Sequence, residues 1–189
     1  MPPFSATASW PGRRGGNTET LARIAAGQLP PDLPQRWIHL GDLEMPAFRD
    51  TQQRDEPVAE PAGVERLLLG ETLAATDLVL VTPLYWYSLA SSVKLYLDYW
   101  ARWERLPSVD FKARMRGKTL WAVTVMADED LAVADPLLRV LELSAGYLDA
   151  RFAGALLGSG SWPGDITKDE VAVARARSFF DLESNLVPR

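Results

Sequence analysis

Short apolar runs alternate with segments of helical spacing along the whole chain. The clearest runs are residues 77–82, 119–126 and 151–157, and the shorter candidates are residues 35–40 and 4–9. These runs are continuously apolar rather than alternating, which is typical of strands that helices cover on both faces. They therefore predict the strands of a parallel sheet.

The run nearest the N-terminus is the weakest strand candidate. Its apolar side chains are Phe4, Ala6 and Ala8, and two prolines precede it. A central parallel strand is normally richer in valine and isoleucine. We therefore expect either a short first strand or an unusual start to the chain.

Helical spacing fills the segments between the strand candidates. Leu21, Ile24 and Ala25 recur at this spacing after Asn17 and Thr18, either of which can cap a helix. Further helices are predicted from 64 to about 75, from 89 to 103, from 135 onwards and from 167 to about 182.

The last predicted helix opens with Thr167 and Glu170, which have the spacing of a capping box. Strands and helices thus alternate along the chain, which implies an α/β protein with right-handed connections. We expect a doubly wound three-layer sandwich, with five parallel strands in the order 2-1-3-4-5.

Composition and charge narrow the class of protein. The length of 189 residues suits a single domain over residues 1–189. The chain has 20 Lys+Arg and 25 Asp+Glu, and the resulting charge of −5 argues against a nucleic-acid partner. Cysteine is absent, which excludes disulfides, Cys-type zinc sites and thiol nucleophiles. The single histidine, His39, leaves no Ser-His-Asp triad unless it serves in one itself.

Membrane and export signals are not visible in the sequence. No apolar run reaches the roughly 18 residues that a membrane helix needs. The opening Met-Pro-Pro-Phe lacks the basic and apolar regions of a signal peptide. We therefore expect a cytoplasmic enzyme or binding protein with no membrane partner.

The loop after the first strand candidate has the features of a phosphate site. It reads Ser-Trp-Pro-Gly-Arg-Arg-Gly-Gly-Asn-Thr, and its three glycines let backbone N–H groups converge on one point. Arg13 and Arg14 add positive charge, and Ser9, Asn17 and Thr18 add short polar side chains. The helix N-terminus that follows favours an anion. The loop matches neither a Walker motif nor G-x-G-x-x-G, and a glycine-rich turn with an ordinary N-cap is the alternative.

The loop after the clearest strand candidate is aromatic. It reads Thr-Pro-Leu-Tyr-Trp-Tyr-Ser over residues 82–88. Tyr85, Trp86 and Tyr87 cannot all enter the core, because the carboxyl end of a parallel strand faces the ligand crevice. They indicate either a stacking site for a planar ligand or an aromatic cap over the sheet edge. In the expected strand order this loop adjoins the glycine-rich loop, so the pair suits a phosphorylated planar cofactor.

Both loops resemble motifs of one family, the flavodoxin-like NADPH-dependent FMN reductases and NAD(P)H:quinone oxidoreductases. The first loop is similar to the family's Ser-x-Arg…Gly-Asn-Thr phosphate loop. The second is similar to its Pro-Val-Tyr-Trp-Gly-Ser segment and the helix that follows. The matching positions are Asp77, Pro83, Tyr85, Trp86, Ser88, Lys94 and Asp98. The resemblance covers about residues 9–160 and implies a flavodoxin-like fold.

The resemblance implies non-covalently bound FMN, which takes hydride from NADPH or NADH and passes electrons to a quinone, a flavin or a similar small molecule. It places the FMN phosphate at Ser9, Arg13 or Arg14, Asn17 and Thr18, with Gly16 in the same loop. It places the ribityl chain and the ring along Pro83, Leu84, Tyr85, Trp86, Tyr87 and Ser88, and Ala127 in a third loop. Backbone N–H groups of residues 85–88 would face the flavin. FMN carries the chemistry, so no catalytic side chain is expected.

Besides the weak first strand, Tyr87 and the third loop depart from the family pattern. Tyr87 stands where the family usually has glycine, so its backbone is expected to avoid a positive φ. Asp128, Glu129 and Asp130 replace a glycine-containing turn. Three acidic residues beside a flavin are expected to disfavour its anionic reduced form.

The resemblance also implies a homodimer. Trp100, Arg102, Trp103 and Arg105 extend one predicted helix. Either this helix packs one face in the core and turns the other to solvent, or it has an exposed aromatic and basic surface that a second copy covers. Two other functions stay open at this point. One is a flavodoxin-type electron carrier, and the other is a dimeric scaffold with weak or no flavin binding.

Overall fold

A parallel sheet of five strands forms the centre of the molecule. The computed structural model describes residues 14–50 and 58–181, and of residues 6–10 it describes the backbone alone. The strands are β1 (Ala6–Trp10), β2 (Gln35–His39), β3 (Asp77–Val81), β4 (Thr119–Met126) and β5 (Arg151–Ser159). They pair in parallel in the order β2-β1-β3-β4-β5. The predicted α/β architecture with a parallel sheet is confirmed.

Helices connect these strands, and the last helix follows β5. They are α1 (Asn17–Ala26), α2 (Gly63–Ala74), α3 (Ser91–Glu104), α4 (Phe111–Met115), α5 (Asp135–Tyr147) and α6 (Glu170–Ala176). The helix α4 is not predicted from the sequence, because five residues are too few to show helical periodicity. Within the described residues, no helix is both long and apolar enough to cross a bilayer.

The weakest strand candidate takes a central position in the sheet. β1 pairs with β2 on one side and with β3 on the other, and the backbone of Ser9 aligns with Ile38 and with Leu80. Hydrogen bonds to two neighbouring strands therefore hold β1. Its predicted start at Phe4 lies outside the described residues, which begin at Ala6.

Alternate side chains of the central strands enter two cores on opposite faces of the sheet. Leu78 and Leu80 pack into the core that contains α2, α3 and α5. Val79 and Val81 pack into the core that contains α1 and α6. Because helices cover both faces, a ligand site is expected at the carboxyl edge, where the strands end.

The aromatic side chains of α3 belong to the core. Trp100 is 6% exposed and Trp103 is fully buried, alongside Val93 and Tyr96. These four residues recur at spacings of three and four, which places them on one face of a helix. The alternative in which Trp100 and Trp103 form an exposed aromatic surface is therefore wrong.

The last helix is capped by a different residue from the one predicted. The Thr167 hydroxyl donates to the Gly164 carbonyl at 2.7 Å, within a 3-10 turn that precedes the helix. The Asp169 carboxylate instead accepts from the backbone N–H groups of Ala172 and Ser159, both at 2.9 Å. The predicted capping box is wrong, and Asp169 joins the start of α6 to the end of β5.

Candidate active site

Four loops at the carboxyl edge of the sheet surround one cavity of about 430 Å³. They follow β1, β3, β4 and β5, and β1 and β3 flank the point where the strand order reverses. The lining residues are Gly16, Asn17, Thr18, Glu19, Pro83, Leu84, Tyr85, Val125, Met126, Ala127, Gly160, Ser161 and Pro163. The volume lies within the range of about 300–1,000 Å³ that is usual for small-molecule sites.

The N-terminus of α1 forms one end of this cavity. Gly16 caps the helix with an extended backbone, at φ −71° and ψ 165°, and Asn17 and Thr18 follow as its first residues. The first N–H groups of a helix have no acceptor within the helix and carry the positive end of its dipole. Thr18 is buried and lines the cavity, and it carries a hydroxyl that can donate a hydrogen bond. This end therefore suits an anion such as phosphate.

The side chain of Asn17 binds the loop after β5. Its Nδ2 donates to the carbonyl oxygens of Gly160 at 3.1 Å and Trp162 at 2.8 Å. Its Oδ1 accepts from the N–H of Gly164 at 2.9 Å and, more weakly, from that of Ile166 at 3.5 Å. A carboxamide offers two donors and one carbonyl oxygen, so these contacts use its capacity. What Asn17 offers a phosphate is its backbone N–H.

Of the two arginines in the glycine-rich loop, the structure describes Arg14, which binds Asp42. Arg14 is exposed and donates to Asp42, whose other oxygen lies 2.7 Å from Nδ1 of His39. The hydrogen bond from Arg14 is the main cause that lowers the pKa of Asp42. Arg14 does not line the cavity. The side chain of Ser9 and the whole of Arg13 lie outside the described residues.

Glu19 is the one charged side chain among the described residues that line the cavity. Its Oε2 accepts from the N–H of Gly15 at 2.8 Å, and its Oε1 lies 3.2 Å from Arg23. Glu19 was missed as a site residue, although acidic residues are typical of the first helical turn. Its carboxylate offsets part of the positive end of the helix.

The aromatic loop after β3 is a tight turn. Tyr85 N–H donates to the Ser88 carbonyl at 3.1 Å, and Ser88 N–H donates to the Tyr85 carbonyl at 3.0 Å. Between them, Trp86 has a φ of 50° and Tyr87 a φ of 62°. The expectation that Tyr87 avoids a positive φ is wrong, because a two-residue turn of type I′ needs left-handed backbone at both central positions.

The turn limits which backbone donors a ligand can use. The N–H groups of Tyr85 and Ser88 are taken within the turn, and Leu84 N–H donates to the end of β4 at 3.3 Å. No backbone hydrogen bond joins Trp86 or Tyr87 to the rest of the described chain. Of the four N–H groups expected to face a ligand, these two remain available.

The predicted ring-binding residues divide into two sets. Pro83, Leu84 and Tyr85 line the cavity, whereas Trp86, Tyr87 and Ser88 lie outside its lining. The Trp86 side chain is 94% exposed, so it does not cap the sheet edge.

Ala127, in the third loop, lies in the cavity wall. The acidic residues of this loop are exposed, and two of them shape the loop itself. Asp128 accepts from the N–H of Asp130 at 2.9 Å, and Asp130 accepts from the N–H of Ala132 at 3.0 Å. The effect of these charges on a reduced flavin stays a prediction.

The loop after β5 is the part of the site for which no binding residue was predicted. Gly160, Ser161 and Pro163 line the cavity, and Gly160 N–H donates to the Met126 carbonyl at 2.8 Å. A signal for this loop exists in the sequence. Ser-Trp-Pro-Gly occurs at residues 161–164 and also at residues 9–12, from the end of β1 into the glycine-rich loop.

Comparison with known proteins identifies relatives of this chain. Residues 12–152 match the model of a family described as NADPH-dependent FMN reductase. The protein YwqN of Bacillus subtilis (strain 168), assigned as an NAD(P)H-dependent FMN-containing oxidoreductase, is 29% identical over 168 residues. That alignment covers 87% of this chain and 89% of YwqN.

Solved structures share the fold over nearly the whole chain. The Trp repressor binding protein from Bacillus subtilis is 26% identical with a TM-score of 0.74, over 93% of this chain and 97% of that one. An FMN-dependent NADH-azoreductase from Bacillus anthracis (strain Ames Ancestor), solved in complex with FMN, is 12% identical. Its TM-score is 0.68 over 93% of this chain and 97% of that one, so the two proteins are similar in fold.

Proposed function

The chain belongs to the NADPH-dependent FMN reductase family, and we propose that it binds FMN in the cavity at the carboxyl edge and passes electrons from NAD(P)H to a quinone or a similar acceptor. One observation carries this proposal: two loops that are distant in sequence line the same cavity. One loop presents the N–H groups of a helix N-terminus, and the other presents an aromatic turn. FMN has a phosphate for the first and a flat ring for the second.

The phosphate of FMN fits the donors at the start of α1. The backbone N–H groups of Asn17 and Thr18 and the Thr18 hydroxyl would hold it, as helix N-termini commonly hold phosphate. We place Ser9, Arg13 and Arg14 around this end as sources of further polar contact and charge.

The ring of FMN fits the apolar part of the cavity. Pro83, Leu84 and Tyr85 would lie against it. Trp86 and Tyr87 follow them in the same turn, outside the lining, and their uncommitted N–H groups would serve the polar edge of the ring. When bound, FMN accepts hydride from the nicotinamide and returns the electrons to an acceptor.

The protein contributes position and surroundings rather than proton transfer. Among the described residues that line the cavity, Glu19 and Tyr85 alone can ionise. Leu84, Val125 and Met126 give the cavity an apolar wall that excludes water from part of it. Hydride transfer needs no acid or base, so we assign no catalytic side chain.

We also propose a homodimer, formed through α3, the helix predicted for this contact, together with α5. A second groove, of about 340 Å³, lies between α3 and α5 and includes Leu97, Leu143 and Tyr147. Leu143 and Tyr147 are 55% and 56% exposed. Exposed apolar patches commonly mark contact surfaces. Leu143→Asp should convert a dimer into a monomer in sedimentation, and a wild-type monomer at micromolar concentration would refute the dimer.

The Thr18 hydroxyl provides a test of the binding site. Thr18→Ala should weaken FMN binding about tenfold or more, since a charge-assisted hydrogen bond contributes about 1.5–3 kcal/mol. Riboflavin, which lacks the phosphate, should bind the variant as it binds the wild type. The control is Thr20→Ala, which makes the same change at a threonine of α1 that does not line the cavity. It should leave the affinities for FMN and for riboflavin unchanged. Wild-type protein that binds no FMN, or a Thr18→Ala variant with full FMN affinity, refutes the proposal.

A further inference from the structure

We propose that Asn17 is a positioning residue for the flavin, which acts by holding the loop after β5 against the start of α1 rather than by contacting the phosphate with its side chain. This inference rests on the proposed function. The family motif suggests a direct phosphate contact for this side chain, and the hydrogen bonds of this chain indicate otherwise. We call the contacts of the Asn17 side chain with residues 160–166 the Asn17 bridge.

The Asn17 bridge leaves the side chain no spare donor. Both N–H directions of Nδ2 are committed to carbonyl oxygens, those of Gly160 and Trp162. The Oδ1 atom, which a phosphate cannot use, is satisfied by Gly164 and Ile166. A side-chain bond to phosphate would have to break one of these contacts and leave a loop carbonyl without its donor.

The bridge joins two walls of one cavity across a separation of more than 140 residues in sequence. On one side lies the start of α1, where Asn17 keeps its backbone N–H for the phosphate. On the other side lies the loop that supplies Gly160, Ser161 and Pro163 to the lining. Losing the bridge should therefore loosen a wall that any flavin contacts, with or without a phosphate.

Gly160 is fitted to the Asn17 amide. A Cβ at this position would lie 2.9 Å from Nδ2 of Asn17 and 3.1 Å from the backbone nitrogen of Ile166. Both distances are shorter than ordinary contact allows, so an alanine here must displace the bridge. Gly160→Ala thus disturbs the bridge from the loop side and changes no atom of α1.

Affinities for FMN and riboflavin distinguish the two roles of Asn17. We expect Asn17→Ala to weaken both flavins by the same factor, about tenfold, because several neutral hydrogen bonds are lost. Gly160→Ala should do the same, and the double variant should be no weaker than the worse single variant. Thr18→Ala is the control and should weaken FMN alone. Loss of FMN affinity with unchanged riboflavin affinity in Asn17→Ala would overturn the inference, as would no loss of either.

A charged variant adds a second measurement, the pH dependence of riboflavin affinity, which a general loss of stability would not change. Asn17→Asp keeps the acceptor for Gly164 but sets a carboxylate against the carbonyl oxygens of Gly160 and Trp162. Protonation restores one donor, so its riboflavin affinity should rise as the pH falls through the titration of that carboxyl. The riboflavin affinity of Asn17→Asp, relative to that of the wild type, could instead stay constant as the pH changes. That result would indicate that the Asn17 side chain contacts the phosphate directly, and it would overturn the inference.

Backbone exchange tests the bridge without any flavin. In Asn17→Ala, the amide hydrogens of Gly164 and Ile166 should exchange faster than in wild type, while those of β4 should not. Unchanged exchange at Gly164 and Ile166 overturns the inference even if the protein binds no flavin. Failure of flavin binding by the wild type, with faster exchange in the variant, instead refutes the proposed function and leaves the bridge intact.

Discussion

Trp86 and Tyr87 hold a backbone conformation that residues with side chains rarely adopt. A left-handed conformation costs an L-residue about 1–2 kcal/mol, and both lie in the turn at the candidate site. Such outliers concentrate at ligand sites, where the surrounding structure over-determines them. Here the two hydrogen bonds between Tyr85 and Ser88 hold the turn.

Glycine at position 87 should remove part of that strain. The Tyr87 side chain is more than half exposed, so its loss removes little buried area. We expect Tyr87→Gly to raise the free energy of unfolding by about 1 kcal/mol in urea titration. Ser88→Gly, at a neighbouring residue without positive φ, should not raise it. Equal effects of the two glycines would show that the turn is unstrained.

Asp77 gives the fold a defined pH dependence. Burial raises the pKa of its carboxyl and is the largest effect. Hydrogen bonds from Trp121 Nε1 at 3.0 Å and Thr76 Oγ1 at 2.8 Å lower the pKa, but by less. The folded protein therefore keeps this proton to a higher pH than the unfolded chain. Its contribution to stability is greatest below the unfolded pKa and falls as the pH rises through the raised folded pKa.

Asp77→Asn should remove this decline. The amide oxygen still accepts from Trp121, and the side chain cannot ionise. The free energy of unfolding of the variant, relative to wild type, should increase as the pH rises from about 4. Chemical denaturation at several pH values measures this difference, and a difference that falls with rising pH would show that the folded carboxyl is not destabilised by burial.

At the scale of elements, the start of α6 depends on one carboxylate. Asp169 accepts from two backbone N–H groups, one in α6 and one at the end of β5. Asp169→Ala should lower the free energy of unfolding by about 1–2 kcal/mol, as loss of an N-cap usually does. Thr167→Ala, at the residue that the sequence pattern favoured, should have a smaller effect. The reverse order in thermal or urea unfolding would restore Thr167 as the cap.

For single elements, the spacing of apolar residues predicted positions and buried faces better than it predicted hydrogen-bond partners. The continuous apolar pattern of residues 119–126 predicted β4 with its observed bounds. For α3, the spacing of Val93, Tyr96, Trp100 and Trp103 favours the buried face that the structure shows, and the exposed aromatic surface was wrong. The capping box at Thr167 failed because a 3-10 turn precedes the helix, and hydrogen-bond partners of that turn cannot be identified from spacing alone.

At the scale of the whole molecule, the place of the site followed from topology. Loops that follow neighbouring parallel strands must meet at the carboxyl edge, so the glycine-rich and aromatic loops could be predicted to line one cavity. The roles of Asn17 and Glu19 could not, because they depend on partners that only folding brings close. Asn17 meets Gly160 and Trp162, and the sequence contains no signal for that pairing beyond the repeated Ser-Trp-Pro-Gly.

The most direct measurement for the proposed function is the visible spectrum of the FMN-loaded protein during anaerobic addition of NADPH or NADH. The protein is first saturated with FMN and freed of unbound flavin. We expect the flavin absorption bands to bleach on addition of the nicotinamide and to return when a quinone is added. Protein that retains no FMN, or bands that neither nicotinamide bleaches, would contradict an NAD(P)H-dependent FMN oxidoreductase.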